Sequence, residues 1–271
     1  MPEDAEILDD AASKNPPADP IPLRRRLAAE SVGTFLLVFF GCGSMAVDAA
    51  YGGAVGHVGI GIVWGVVVMA LIYAVGDVSG AHFNPAVSFA FWLSGRFRGK
   101  DALWYSGLQI VAATLAAYVL LGTFPLLSDL GQTNPSIASY ATNLDGDVDR
   151  WTDRAGQAAF RAFVFEILLT FALVFVILCV AVGSKERGLM AGIAIGGTVA
   201  ICALAAGPVC RASMNPARSI GPAVAALDFQ YLWLYCIAPI IGAALAVGAW
   251  TYIYRHPRPA REVHETTQPG V

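Results

Sequence analysis

Two identical tripeptides, Asn84-Pro85-Ala86 and Asn215-Pro216-Ala217, are the residues in this chain best suited to chemistry. An asparagine side chain accepts from the free amides of a helix's first turn, and proline at the first helical position lacks the amide that would go unpaired there. Each tripeptide therefore predicts a helix start. With its oxygen engaged in capping, each Asn keeps an NH2 group to donate to a passing oxygen, which would orient water or a hydroxyl-bearing solute. If the two starts face one another, a cation between them meets two positive dipole ends of roughly half a unit charge each.

The stretches leading into these starts, residues 77–83 and 207–214, read as irregular backbone. At membrane depth such backbone is tolerated only where its carbonyls line a wet path. Gly80, Ala81, His82, Arg211 and Ser213 are the candidates for presenting those carbonyls. His82 invites an acid–base reading, but Asp77 is the one partner spaced near it, no nucleophile-and-base arrangement results, and no enzymatic activity is expected. No metal or cofactor site is expected either: Cys42, Cys179, Cys202, Cys210 and Cys236 are scattered through apolar segments without paired spacing.

The elements that must hold these residues lie in lipid. The chain has 271 residues, 56% of them hydrophobic and only 14% charged, too little charge to wet the surface of a soluble protein of this size. Apolar segments at residues 27–47, 57–75, 102–122, 158–182, 189–206 and 231–254 predict six spans, since about 20 residues cross a hydrocarbon core about 30 Å thick. Residues 84–93 and 215–227, each opened by an Asn-Pro pair, are too short. As helices they rise roughly 15 to 20 Å and reach only half way across. With a net charge of -3 and no basic stripe bearing interleaved aromatics, nucleic acid is not an expected partner.

Basic clusters fall at Arg24, Arg25 and Arg26, at Arg96, Arg98 and Lys100, at Lys185 and Arg187, and at Arg255, Arg258 and Arg261. The loop near 123–157 instead carries Asp129, Asp145, Asp147, Asp149 and Asp153 against Arg150 and Arg154. The positive-inside rule puts that loop outside and both termini in the cytoplasm. Residues 1–22, acidic and rich in Pro and Ala, read as a disordered tail rather than a signal peptide, and 256–271 read as a second tail. Between them, 23–255 form one domain.

That domain repeats. Glu30-Ser-Val-Gly-Thr-Phe-Leu-Leu-Val-Phe in the first span matches Glu166-Ile-Leu-Leu-Thr-Phe-Ala-Leu-Val-Phe in the fourth. Repeat one covers about 23–122 and repeat two about 158–255. Three spans per repeat force the copies into opposite orientations, so the two short helices enter from opposite faces. Glu30 and Glu166 are costly in apolar spans, and each is expected to accept hydrogen bonds from a re-entrant segment and hold it in place.

Ser79-Gly-Ala-His-Phe-Asn-Pro-Ala-Val87, Ala212-Ser-Met-Asn-Pro-Ala-Arg-Ser219 and the two Glu-x-x-x-Thr-Phe copies together resemble the aquaporin and glycerol-facilitator family, the major intrinsic proteins, over roughly residues 23 to 255. The resemblance implies an all-α membrane protein: a bundle of six transmembrane helices plus two re-entrant half-helices in an inverted 3+3 repeat. It also implies a pore in each subunit of a homotetramer, embedded in the lipid bilayer of a plasma or inner membrane. It further implies a selectivity filter beyond the Asn residues, and distance from those residues assigns it to Trp64, Ala203, Ala212 and Arg218. Arg218 would repel cations and offer donors to solute oxygens. Trp64 would give an apolar wall, and Ala203 and Ala212 would leave a wide opening. This set is similar to glycerol-conducting members and most of all to the plant nodulin-like branch, which implies passage of glycerol, ammonia or neutral metalloid acids beside water. Arg211 departs from the pattern, standing where the family usually has Gly; either its side chain is expected in the outer vestibule or paired with an acidic loop residue, or the local path differs.

The expected function is therefore passive permeation of water and small uncharged solutes, ions and protons excluded, with no cofactor. The rival is a secondary transporter, which also builds its substrate site from discontinuous helices. Coupling would need a titratable group on the path, and within the spans the candidates are Glu30 and Glu166.

Overall fold

The computed structural model describes residues 21–125, 130–136, 155–181 and 185–254. Residues 1–20 of the first expected tail, all of the second and most of the acidic loop, with its Asp and Arg residues named above, lie outside them. So do Arg255, Arg258, Arg261 and the side chains of Lys185 and Arg187.

Among the described residues the regular elements are eight α-helices. Four make the first repeat: α1 (Leu23–Ala50), α2 (Gly56–Ser79), α3 (Pro85–Leu93) and α4 (Gly99–Thr123). Four make the second: α5 (Ala155–Ala181), α6 (Lys185–Cys210), α7 (Pro216–Ala226) and α8 (Leu232–Tyr254). Six of them are long and apolar enough to cross a membrane. The other two, α3 with 9 residues and α7 with 11, are half-length.

Packing follows the repeat. α1 packs on α2 and α4, and α5 packs in the same way on α6 and α8. The repeats are stitched by exchange: α7 lies against α4 of the other repeat, and α3 against α8. The central seam is α2 on α6, and glycine makes it close. A β-carbon at Gly65 would stand 2.6 Å from the Gly196 carbonyl oxygen, and one at Gly196 would stand 2.6 Å from that of Gly65. Small residues let backbones touch in this way where lipid supplies no hydrophobic drive between helices. Gly221 of α7 seats against α4 likewise, since a β-carbon there would stand 2.6 Å from the Ala113 carbonyl oxygen.

The helix ends run past the apolar segments. α1 begins four residues before the expected 27, because Arg26 lies inside its first turns and pairs at 2.9 Å with Asp101 at the start of α4. A helix continues while its backbone bonds can form, whether or not the side chains suit hydrocarbon.

Candidate functional site

The two half-helices meet by their N-termini. Asn84 caps α3, its Oδ1 accepting from the Ala86 amide at 2.8 Å. Asn215 caps α7, accepting from the amides of Ala217 at 3.0 Å and Arg218 at 3.3 Å. Each cap then reaches across to the other repeat. Asn84 Nδ2 donates to the Met214 carbonyl at 2.7 Å, and Asn215 Nδ2 donates to the Phe83 carbonyl at 2.8 Å. This corrects the expectation that both N–H groups of each amide are free: one is committed to the opposing strand of backbone, and one remains. Phe83 and Met214 are thus part of the site, although sequence reasoning passed over them. The signal was there, since each immediately precedes its Asn.

The backbone before each cap is bent by left-handed residues. Gly80 ends α2 with φ 87°, and Ala81 and Phe83 follow at 50° and 49°. In the second repeat Arg211, Ala212 and Met214 take 62°, 42° and 54°. Non-glycine residues adopt this region at a cost of roughly 1–2 kcal/mol each, so something must hold the bends. Two buried carboxylates do. Glu30, fully buried in α1, accepts from the amides of His82 at 2.9 Å and Phe83 at 2.7 Å, and from Gln109 Nε2 of α4 at 2.8 Å. Glu166, fully buried in α5, accepts from the amides of Ser213 and Met214, each at 2.7 Å. Gln109 was not foreseen.

A cavity of about 750 Å³ runs along these elements. Asn84 and Asn215 border it, and so do Gly80, Ala81, His82 and Ser213. Arg211 is not among the bordering residues: its amide closes the end of α6 on the Gly207 carbonyl at 2.9 Å. Neither Glu30 nor Glu166 borders the cavity, so neither is placed to couple flux to protons. His82 does border it, but its Nδ1 is 3.0 Å from Ser88 Oγ and its ring stacks on Phe91 at 4.7 Å, with Asp77 no partner to it. The residues around His82 form no catalytic arrangement. Among the described residues no three His, Cys, Asp or Glu gather as a metal site would require.

Trp64, Ala203, Ala212 and Arg218 all border the cavity. The Arg218 guanidinium carbon sits 4.7 Å from the centroid of the Trp64 ring. Its Nη1 donates to the Gly131 carbonyl at 2.6 Å and its Nη2 lies 3.6 Å from Met45 Sδ. Both partners are neutral, so neither contact neutralises the guanidinium. Gly131 and Met45 are far from Arg218 in sequence, and no local pattern announces either contact.

Fold and site together define a class of protein: an integral membrane protein in which an inverted repeat encloses a path between two opposed helix N-termini. The sequence matches the family described as Major intrinsic protein over residues 19–252. Aquaporin NIP3-1 of Arabidopsis thaliana is 42% identical over 252 residues, 92% of this chain and 74% of that one. Nodulin-26 of Glycine max is 40% identical over 232 residues, 86% of this chain and 78% of that one. Among solved structures, the aquaglyceroporin from Plasmodium falciparum superposes with a TM-score of 0.69 over 84% of this chain and 96% of that one. At 22% identity that likeness speaks for the fold alone. The chain belongs to the major intrinsic protein family. It is a passive membrane channel for water and small solutes, and not an enzyme.

Proposed function

We propose that the channel passes water and small neutral polyols, glycerol foremost, in both directions, with neutral metalloid acids and ammonia as further solutes of the same kind. The observation that carries this reading is the composition of the shared wall. Two methyl side chains, Ala203 and Ala212, border the same cavity as the indole of Trp64 and the guanidinium of Arg218, which lie 4.7 Å apart. In this reading Arg218 donates to solute hydroxyls and turns back cations, Trp64 lies along the carbon chain, and the alanines leave room for a C–OH unit. At the midplane the remaining N–H of Asn84 and of Asn215 orients the solute, while carbonyls of Gly80, Ala81, His82 and Ser213 accept from it. Glu30 and Glu166 serve as scaffold.

The same reading puts both termini in the cytoplasm of a plasma or inner membrane. It is supported by Arg24, Arg25 and Arg26 at the start of α1, by Arg96 and Arg98 between α3 and α4, and by Lys100 in the first turn of α4. It also assembles four copies, each with its own pore.

Stopped-flow light scattering on reconstituted vesicles tests the function. Flux should rise linearly with the solute gradient and ignore a proton gradient; saturable, proton-driven uptake would overturn the reading. Ala212→Phe should slow glycerol by about tenfold or more while slowing water far less, since steric discrimination in a tight site is worth that much. Equal losses for both solutes would show that Ala212 does not line the constriction.

A further inference from the structure

α6 contains a proline, Pro208, three residues before Arg211. In an α-helix the carbonyl of Leu204 would accept from the amide of residue 208, and proline has none. That carbonyl is nonetheless partnered. His57, in the first turn of α2, places Nε2 2.8 Å from the Leu204 oxygen. A carbonyl can only accept, so Nε2 carries the proton and donates. Gly207 makes room for the ring: a β-carbon there would stand 2.9 Å from His57 Cε1. The three features answer one another: proline frees the carbonyl, glycine admits the imidazole, and histidine supplies the missing donor.

The position of this bond matters more than its strength. His57, Gly61 and Trp64 recur at i, i+4 and i+7 and so share one face of α2. Leu204 packs into the gap left by Gly61, whose β-carbon would stand 2.6 Å from Leu204 Cδ2. Farther along the same seam Gly65 and Gly196 touch backbone to backbone. The α2–α6 seam is therefore pinned at two places, and between them lie Trp64 on one helix and Ala203 on the other.

We infer that His57 is a positioning residue for selectivity: by donating to the carbonyl that Pro208 leaves open, it sets the spacing between Trp64 and Ala203 across the path. This rests on the reading of Trp64, Ala203, Ala212 and Arg218 as the filter. His57 itself touches no solute in this account and acts through α6.

The test is a cycle in reconstituted vesicles that reads the ratio of glycerol to water permeability. His57→Phe keeps a ring against Gly207 but cannot donate. It should shift the ratio about threefold to tenfold, the range that one ordinary hydrogen bond corresponds to. His57→Gln, which can donate again, should restore the ratio to within about twofold, well inside the effect of losing such a bond. The decisive arm is Pro208→Ala, which returns an amide to the helix and satisfies Leu204 from within. In that background His57→Phe should leave the ratio unchanged. An unshifted ratio in His57→Phe alone, or the same shift with and without Pro208→Ala, would overturn the inference. If His57→Phe reconstitutes only in the Pro208→Ala background, that rescue supports it, and failure in both backgrounds counts against it. Ala212→Phe run in parallel separates the two readings. If it changes the ratio and the His57 arms do not, only the inference fails; if it does not, the filter assignment falls first.

Discussion

At the scale of single residues, Arg218 and Arg211 are opposite cases. Arg218 is 1% exposed, borders the cavity and is held by a carbonyl, a thioether and an indole face, so its geometry is fixed by contacts that do not neutralise it. A unit charge about 4 Å away at an effective dielectric near 20 meets about 4 kcal/mol of repulsion, enough to suppress cation entry by two orders of magnitude or more. Arg218→Val should therefore raise cation or proton leak in a vesicle dye assay while water flux persists; an unchanged leak would remove Arg218 from the filter. Arg211 carries φ 62° without bordering the cavity. Arg211→Gly should raise thermal stability by about 1–2 kcal/mol, the cost of a left-handed conformation for a residue with a β-carbon, and should leave permeability ratios alone. A fall in stability would mean that its side-chain contacts outweigh the backbone strain. What was legible at this scale was local. The Asn84 and Asn215 caps bond to amides two and three residues on, so neighbouring residues in the chain disclose them. The Gly131 carbonyl on Arg218 joins residues 87 apart, and nothing in either neighbourhood encodes it.

Between residue and molecule lie the re-entrant segments, whose bent backbone is held by carboxylates rather than by secondary structure. The two supports are not equal. Glu30 also accepts from the Gln109 side chain of α4, whereas Glu166 holds the Ser213 and Met214 amides. Removing Glu166 should thus be severe. Glu166→Leu leaves the Ser213 and Met214 amides without acceptors in a buried site, at about 1–3 kcal/mol each, and should lower the unfolding temperature sharply with loss of water flux. Glu166→Gln keeps one acceptor oxygen and should fall between. If Glu166→Leu melts with the parent, the carboxylate is not what holds the loop. The spans themselves were readable from apolar length, but their ends were not. α6 continues to Cys210, past the expected end at 206, because the gap that Pro208 opens in its bonding is filled from α2. A proline read in sequence predicts a break; only the partner helix shows why there is none.

For the whole molecule, the inverted repeat places a half-helix of each repeat against the last helix of the other, so the path is bordered by a single chain. Four copies should assemble around four separate paths. Mass measurement of the protein in mild detergent should give a tetramer, and per-chain water flux should not depend on that assembly; a stable single chain would refute the oligomer. Repeat symmetry could be inferred from the matching Glu30 and Glu166 segments, because inversion follows from counting spans. The α2–α6 seam could not, since Gly65 and Gly196 are unremarkable among the chain's 28 glycines until the helices are brought together.

The reciprocal bonds between Asn84 and Met214 and between Asn215 and Phe83 bear on biosynthesis. When the first repeat has entered the bilayer, its midplane amide and carbonyl have no partners, and they gain them only after residue 215 arrives. An early half of the chain is thus left with unpaired polar groups at the depth where pairing matters most. Closure of the path consequently needs both repeats, since neither one alone carries both members of either bond.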